Sequence, residues 1–152
     1  MIVRPATAAD FPAYARLACD FHAASPMHGV CEFDHAGYEV FYRGALGNDR
    51  LLLLLAESAG EIVGICGALL YPLYFAPSHL VAQELWWYLT PSARGGSAGK
   101  QMLGRIEQWA ADSSAKSLFM IALANDRVQT MERVYGRAGF VPMERTYMKE
   151  VG

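Results

Sequence analysis

The chain has 152 residues, 53% of them hydrophobic and 18% charged, with a net charge of −2. That length suits one domain over residues 1–152 with a sizeable core, and the composition excludes a disordered chain. The charge balance gives no general case for nucleic acid, so a basic site has to be local, and Arg94, Lys100 and Arg105 are the obvious cluster.

Ile2-Val3-Arg4 reads as a short strand. Thr7 to Asp10 has the form of a capping box, and Phe11, Tyr14, Leu17, Ala18 and Phe21 then recur at helical spacing. Ser25-Pro26 ends that helix, and residues 26–33 are expected to form a loop. Asp34 caps a second predicted helix carrying Tyr38, Phe41, Tyr42 and Ala45, which Gly47-Asn48-Asp49 stops. Leu51 to Glu57 and Glu61 to Leu70 read as a hairpin about Ser58-Ala59-Gly60. Gly64 and Gly67 predict close packing on the second strand, or a bulge.

Pro72 to Ser78 is expected to be a loop and Val81 to Leu89 the next strand. From about Gly99, Met102, Leu103, Ile106, Trp109 and Ala110 mark an amphipathic helix. Leu118 to Ala122 reads as a buried strand, and Val128, Met131, Val134, Tyr135 and Ala138 mark a last helix ended by Gly139. Phe140-Val141 and Thr146 to Val151 are expected to finish the sheet. Hairpins followed by β-α units imply a mixed α/β fold with helices on both faces of the sheet.

Cys19, Cys31 and Cys66 are odd in number and lack metal-ligand spacing, which predicts reduced thiols in the cytoplasm. His22, His28, Glu32 and His35 admit a metal site, but a substrate-facing segment is the preferred reading, so no metal is expected. Leu51 to Leu55 is too short to span a membrane, and no signal region opens the chain. The apolar surplus predicts a covered surface, such as a homodimer contact.

The segment most informative about chemistry runs from Tyr88 to Lys100. An aromatic strand meets Pro91, then Arg94 and the small residues Gly95, Gly96, Ser97, Ala98 and Gly99, and then a helix. Such a turn offers unpaired N–H groups at a positive dipole end, where phosphate binds. An ordinary strand-to-helix loop has the same composition. Two known phosphate motifs are absent, because Lys100 is followed by Gln101 and no Gly-x-Gly-x-x-Gly follows an early strand.

Arg94-Gly95-Gly96-Ser97-Ala98-Gly99 resembles the Gln/Arg-x-x-Gly-x-Gly/Ala signature of the GNAT superfamily, the acyl-CoA-dependent N-acetyltransferases. Ser97 stands where the family usually has glycine, and it would either give its hydroxyl to a phosphate or cap the helix. Val3 to Asp10, Gly60 to Gly64, and Val134-Tyr135-Gly136-Arg137-Ala138-Gly139-Phe140 resemble further family segments in the right order. The family's asparagine seven residues before the tyrosine is replaced by Val128. The resemblance implies a mostly antiparallel mixed sheet of about six or seven strands.

It also implies transfer of acetyl from acetyl-CoA to a primary amine, on a small molecule or a peptide, by direct attack in a ternary complex. Such chemistry needs a base for the amine, a donor to the thioester oxygen and a proton for the leaving thiolate. Glu84 is the candidate base. It is the one acid between Glu61 and Glu107, in an apolar strand where burial would raise its pKa, although a solvated strand carboxylate gives the same pattern. Tyr135 matches the family's frequent general acid, and it also fits a core aromatic on its helix stripe.

Residues 95–100, with Arg94 and Lys100, would hold the pyrophosphate, and the main chain at Tyr88 and Leu89 the pantetheine arm. His28, Glu32, Asp34, Tyr38 and Tyr42 would line the acceptor region. The rival functional readings are an acyl-CoA-binding sensor or assembly module without efficient catalysis, and a nucleotide-phosphate binder.

Overall fold

The computed structural model describes residues 1–152. Five strands form one sheet in the order β1-β2-β3-β4-β5: β1 (Ile2–Pro5), β2 (Leu51–Ser58), β3 (Glu61–Leu73), β4 (Ala76–Leu89) and β5 (Ser117–Phe119). The first four are antiparallel neighbours, and β5 runs parallel to β4. The helices are α1 (Phe11–Ala24), α2 (His35–Ala45), α3 (Ser97–Asp112) and α4 (Val128–Arg137).

α1 and α2 cover one face of the sheet. Tyr14, Leu17 and Tyr42 pack there against Leu53, Leu55 and Ile65. α3 covers the other face, where Met102 and Ile106 meet Leu52, Leu54 and Cys66. The period-two alternation of Leu51–Leu55 puts one set of leucines into each layer. At the start of the chain Asp10 reaches back to the Thr7 N–H at 2.8 Å and also pairs with Arg4 at 2.8 Å. That pairing locks β1 to the entry of α1 and holds the Asp10 carboxyl well below its ordinary pKa.

Four expectations are corrected. The β3–β4 hairpin is longer than its sequence indicated, because β3 continues to Leu73 and β4 begins at Ala76. α3 begins at Ser97 rather than near Gly99. The predicted strand 118–122 reduces to Ser117–Phe119. No strand forms from Phe140-Val141 or Thr146 to Val151, so the sheet has five strands instead of six or seven. A strand needs a neighbour to bond to, and residues 141–152 lie exposed with none.

Candidate active site

β4 and β5 pair only at Val81–Gln83 with Ser117–Phe119. Beyond that point β4 continues to Leu89 while β5 ends, and the two strands part. Glu84 sits at this fork. A β-bulge places it: Ala68 opposes Glu84 and Gly67 opposes Trp86, which leaves Leu85 as the extra residue. Ala82 packs with Ala110 of α3, so Glu84, two residues on, faces the α3 side. After the bulge Trp86 turns to the α1–α2 layer and Trp87 to the α3 layer. Gly67 is required here, since a Cβ would strike the Trp86 ring.

Glu84 is 3% exposed. Its carboxylate accepts the Ile121 N–H at 2.9 Å, in place of the backbone acceptor that a continued β5 would have found. Burial raises its pKa from 4.5 to about 7, and the Ile121 bond opposes part of that rise. Tyr135, on α4, donates its hydroxyl to the Ile121 carbonyl at 2.8 Å. The two candidate catalytic side chains therefore hold the two polar groups of one peptide residue. Burial, followed by the charge of Glu84, pushes the Tyr135 phenol upward, so it stays protonated.

The Tyr135 ring lies 6.3 Å from that of Trp87 and 5.7 Å from that of Phe140. The indole Nε1–H of Trp87 is buried with no acceptor. A buried donor without a partner costs free energy, and it marks a place where a ligand atom would bond. The same indole lies about 3.6 Å from the position a Cβ would take on Gly99, at the head of α3. Gly99, Trp87, Tyr135, Ile121 and Glu84 thus form one continuous line from helix terminus to fork.

The turn before α3 has the geometry of an anion cradle. Gly95 has φ +76°, a conformation that favours glycine. Gly96 is the N-cap and supplies no side-chain bond to the helix, so the first-turn amides stay free. Ser97 is the first helical residue and not the cap, and its hydroxyl accepts from Gln101. Lys100 is exposed on the first turn. Arg94 donates its Nε–H to the Leu89 carbonyl at 2.9 Å, with its guanidinium 5.5 Å from the Tyr88 ring centroid. Arg94 is a fixed cation at the mouth of the turn, and it occupies the Leu89 carbonyl that pantetheine was expected to use.

The expected acceptor residues divide. Phe33, Tyr38, Phe41 and Trp86 form an aromatic wall with ring centroids 5.2–6.2 Å apart. The Tyr38 hydroxyl is buried without a partner. His28 and Glu32 are exposed. Asp34 caps α2 by accepting the Gly37 N–H. Tyr42 is the correction: it is fully buried, with its hydroxyl bonded to the Thr7 carbonyl, and it belongs to the core. The imidazoles of His22 and His28 meet edge to face, and no three His, Cys, Asp or Glu side chains converge as a metal site.

Sequence reasoning missed Ile121, whose part is played by its backbone, and Asn125, whose side chain bonds the Ala24 carbonyl and ties the loop after β5 to the end of α1. Neither role leaves a side-chain pattern. The unpartnered Trp87 donor was likewise unreadable, since an indole in a strand reads as core.

The model of the acetyltransferase (GNAT) family matches residues 14–140, and the chain belongs to that family. It is an acyltransferase domain. Among solved structures it is similar to the aminoglycoside antibiotic 6'-N-acetyltransferase of Acinetobacter haemolyticus, with TM-score 0.76, 18% identity and 100% of each chain covered. It is similar also to AAC(6')-Iy in complex with a bisubstrate analogue, CoA-S-monomethyl-acetylneamine, with TM-score 0.77, 16% identity, and 99% and 97% of the two chains covered. A third is the ribosomal-protein-alanine N-acetyltransferase of Brucella melitensis biovar Abortus 2308, with TM-score 0.75, 14% identity, and 99% and 100% covered. No curated protein sequence matches the chain.

Proposed function

We propose that this chain transfers acetyl from acetyl-CoA to a primary amine by direct attack within a ternary complex. One observation carries the reading: Glu84 and Tyr135 converge on the backbone of Ile121 at the fork of β4 and β5, in line with the head of α3. Acetyl-CoA supplies an acyl thioester. The free amides of residues 95–100, with Arg94 and Lys100, would hold its phosphates, and the Trp87 indole would give its unused N–H to the acyl carrier.

Glu84, with a pKa near 7, takes a proton from the ammonium of the acceptor at neutral pH. Tyr135 stays protonated and would turn its hydroxyl from the Ile121 carbonyl toward the leaving sulfur. The acceptor would approach over the wall of Phe33, Tyr38, Phe41 and Trp86. That wall favours an amine with an apolar body over a polycation, because Asp34 is already spent as a helix cap. Residues 1–152 are proposed to form one acetyltransferase domain that pairs as a homodimer, and its three free thiols suit the cytoplasm. No helix is long and apolar enough to cross a membrane.

The test is release of CoA thiol from acetyl-CoA with an amine panel that includes aminoglycosides, arylalkylamines and peptides. Turnover on at least one amine, lost in Glu84→Gln, is expected. Tight acetyl-CoA binding with no turnover on any amine would make the protein a binding module instead.

A further inference from the structure

Tyr14 of α1 is a buried phenol outside the pair formed by Glu84 and Tyr135. Its hydroxyl donates to the Cys66 carbonyl of β3 at 2.8 Å and accepts the Trp86 Nε1–H of β4 at 3.2 Å. A neutral phenol has one proton to give, and burial keeps Tyr14 neutral by pushing its pKa well above the ordinary value. The direction of both bonds is therefore fixed. One side chain ties together two strands that lie 52 and 72 residues further along the chain.

Those strands meet there at the bulge. Trp86 opposes Gly67, and its indole lies in the space that a Cβ on Gly67 would fill. The same indole meets the rings of Tyr38 at 6.1 Å and Phe41 at 5.8 Å in the aromatic wall. Trp86 is thus held twice, by the room at Gly67 and by the Tyr14 hydroxyl. On the other flank of Leu85, Ala82 packs with Leu70 and Ala110. A bulge can migrate along a strand unless both flanks are fixed, and each one-residue slip turns the side chains it passes to the opposite face. A bulge that moved ahead of Glu84 would bring the carboxylate into phase with Trp86, away from the α3 face.

We propose that Tyr14 is a positioning residue: by holding Trp86 down on Gly67 it pins the β4 bulge at Leu85, and so fixes both the direction of Glu84 and its separation from the aromatic wall. Tyr14 touches neither substrate nor base and acts through Trp86. Its part in turnover rests on the acetyl-transfer reading, whereas the pinning of the bulge does not. Glu84 itself faces the Ile121 N–H after β5, Tyr135 of α4 and the Cys66 thiol of β3, with no cation among them. Water let in by a loosened bulge is therefore the change that Glu84 would register.

The test compares Tyr14→Phe with Tyr42→Phe. Tyr42 is the matched control: it too is fully buried, meets the Tyr14 ring edge-on, and bonds one backbone carbonyl, that of Thr7, outside the two strands of the bulge. Each variant loses a buried hydroxyl bond, so both are expected to melt lower than wild type. Two readouts separate them. In wild type and Tyr42→Phe, stability is expected to fall between roughly pH 5 and 8 as Glu84 ionises; in Tyr14→Phe that fall should shrink to less than about half, because Glu84 is then met by water. With the amine of the panel that turns over fastest, kcat/KM of Tyr14→Phe should drop on the order of 10–100-fold, with acetyl-CoA affinity unchanged. An equal pH-dependent fall in the two variants overturns the proposal, and so does a Tyr14→Phe enzyme with wild-type kcat/KM. A wild type that acetylates no amine overturns the transfer reading instead, and the melts then decide the bulge on their own. If Tyr14→Phe does not fold, Trp86→Phe, which removes the N–H and keeps an aromatic ring in the wall, takes its place in both readouts.

Discussion

A carboxylate that is 3% exposed beside no cation is strained toward its protonated form, and this gives Glu84 two measurable signatures. The first is kinetic. As a base with a pKa near 7, Glu84 should impose an acidic limb on kcat/KM. Glu84→Gln should lower the rate and flatten that limb while leaving acetyl-CoA affinity nearly unchanged. The second is thermodynamic. The folded pKa lies above the unfolded value of 4.5, so the folded state binds the proton more tightly. The contribution of Glu84 to stability is therefore fully present below about pH 4.5 and is lost as pH rises toward and through 7, by roughly 3 kcal/mol in all. Glutamine can still accept the Ile121 N–H but cannot ionise. Thermal melts of the variant should show a smaller loss between pH 5 and 8; a loss equal to that of wild type would mean Glu84 is not held in this state.

Tyr135→Phe bears on the same peptide group. The hydroxyl makes a buried bond to the Ile121 carbonyl, so its removal should cost about 0.5–1.5 kcal/mol of stability, alongside a rate loss on the order of 10²–10⁴-fold. A stability loss with normal turnover would assign Tyr135 a purely structural part. Neither residue's role was fully legible from sequence. Glu84 stood out as a lone acid in an apolar strand, but the bulge at Leu85, which turns Trp86 away from the face that Glu84 shares with α3, is a property of two paired strands.

Among the elements, the turn into α3 was the most legible, since its chemistry is local: a positive φ at Gly95 and an uncapped helix terminus follow from small residues in sequence order. Gly96→Asp should weaken CoA binding by roughly tenfold, by placing negative charge at the terminus proposed to hold phosphate. Gly104→Asp, on an exposed part of α3 with open space around it, is the matched control and should bind normally. Equal affinities for the two in calorimetry would remove the phosphates from this turn. The helices were also legible, because Asp10 and Asp34 cap through contacts three residues apart. The extent of β5 and the strands expected at Phe140-Val141 and Thr146 to Val151 were misread, since a strand-like segment shows that it can pair and not what it pairs with.

For the molecule as a whole, binding at the head of α3 should appear as global stabilisation, because a ligand held by the folded state alone shifts unfolding by mass action. At a hundredfold excess over its Kd, acetyl-CoA should contribute about 2.7 kcal/mol. In a chain of this length that is a rise in Tm of roughly 5–10 °C. A melting temperature indifferent to both acetyl-CoA and CoA would contradict the cradle.

Sequence alone indicated the layers of this fold, the capped helices, the first hairpin, the glycine-rich turn into α3 and Glu84 as a lone acid in an apolar strand, all of which depend on periodicity or on residues a few positions apart; Tyr135 was named through the family resemblance. Only the tertiary structure decided that Tyr42 is core and Tyr38 lies in the aromatic wall, that Arg94 is fastened to Leu89, and that Glu84 and Tyr135 meet at Ile121. Those facts depend on which strand ends first and on which backbone groups are then left to be bonded by side chains from distant parts of the chain.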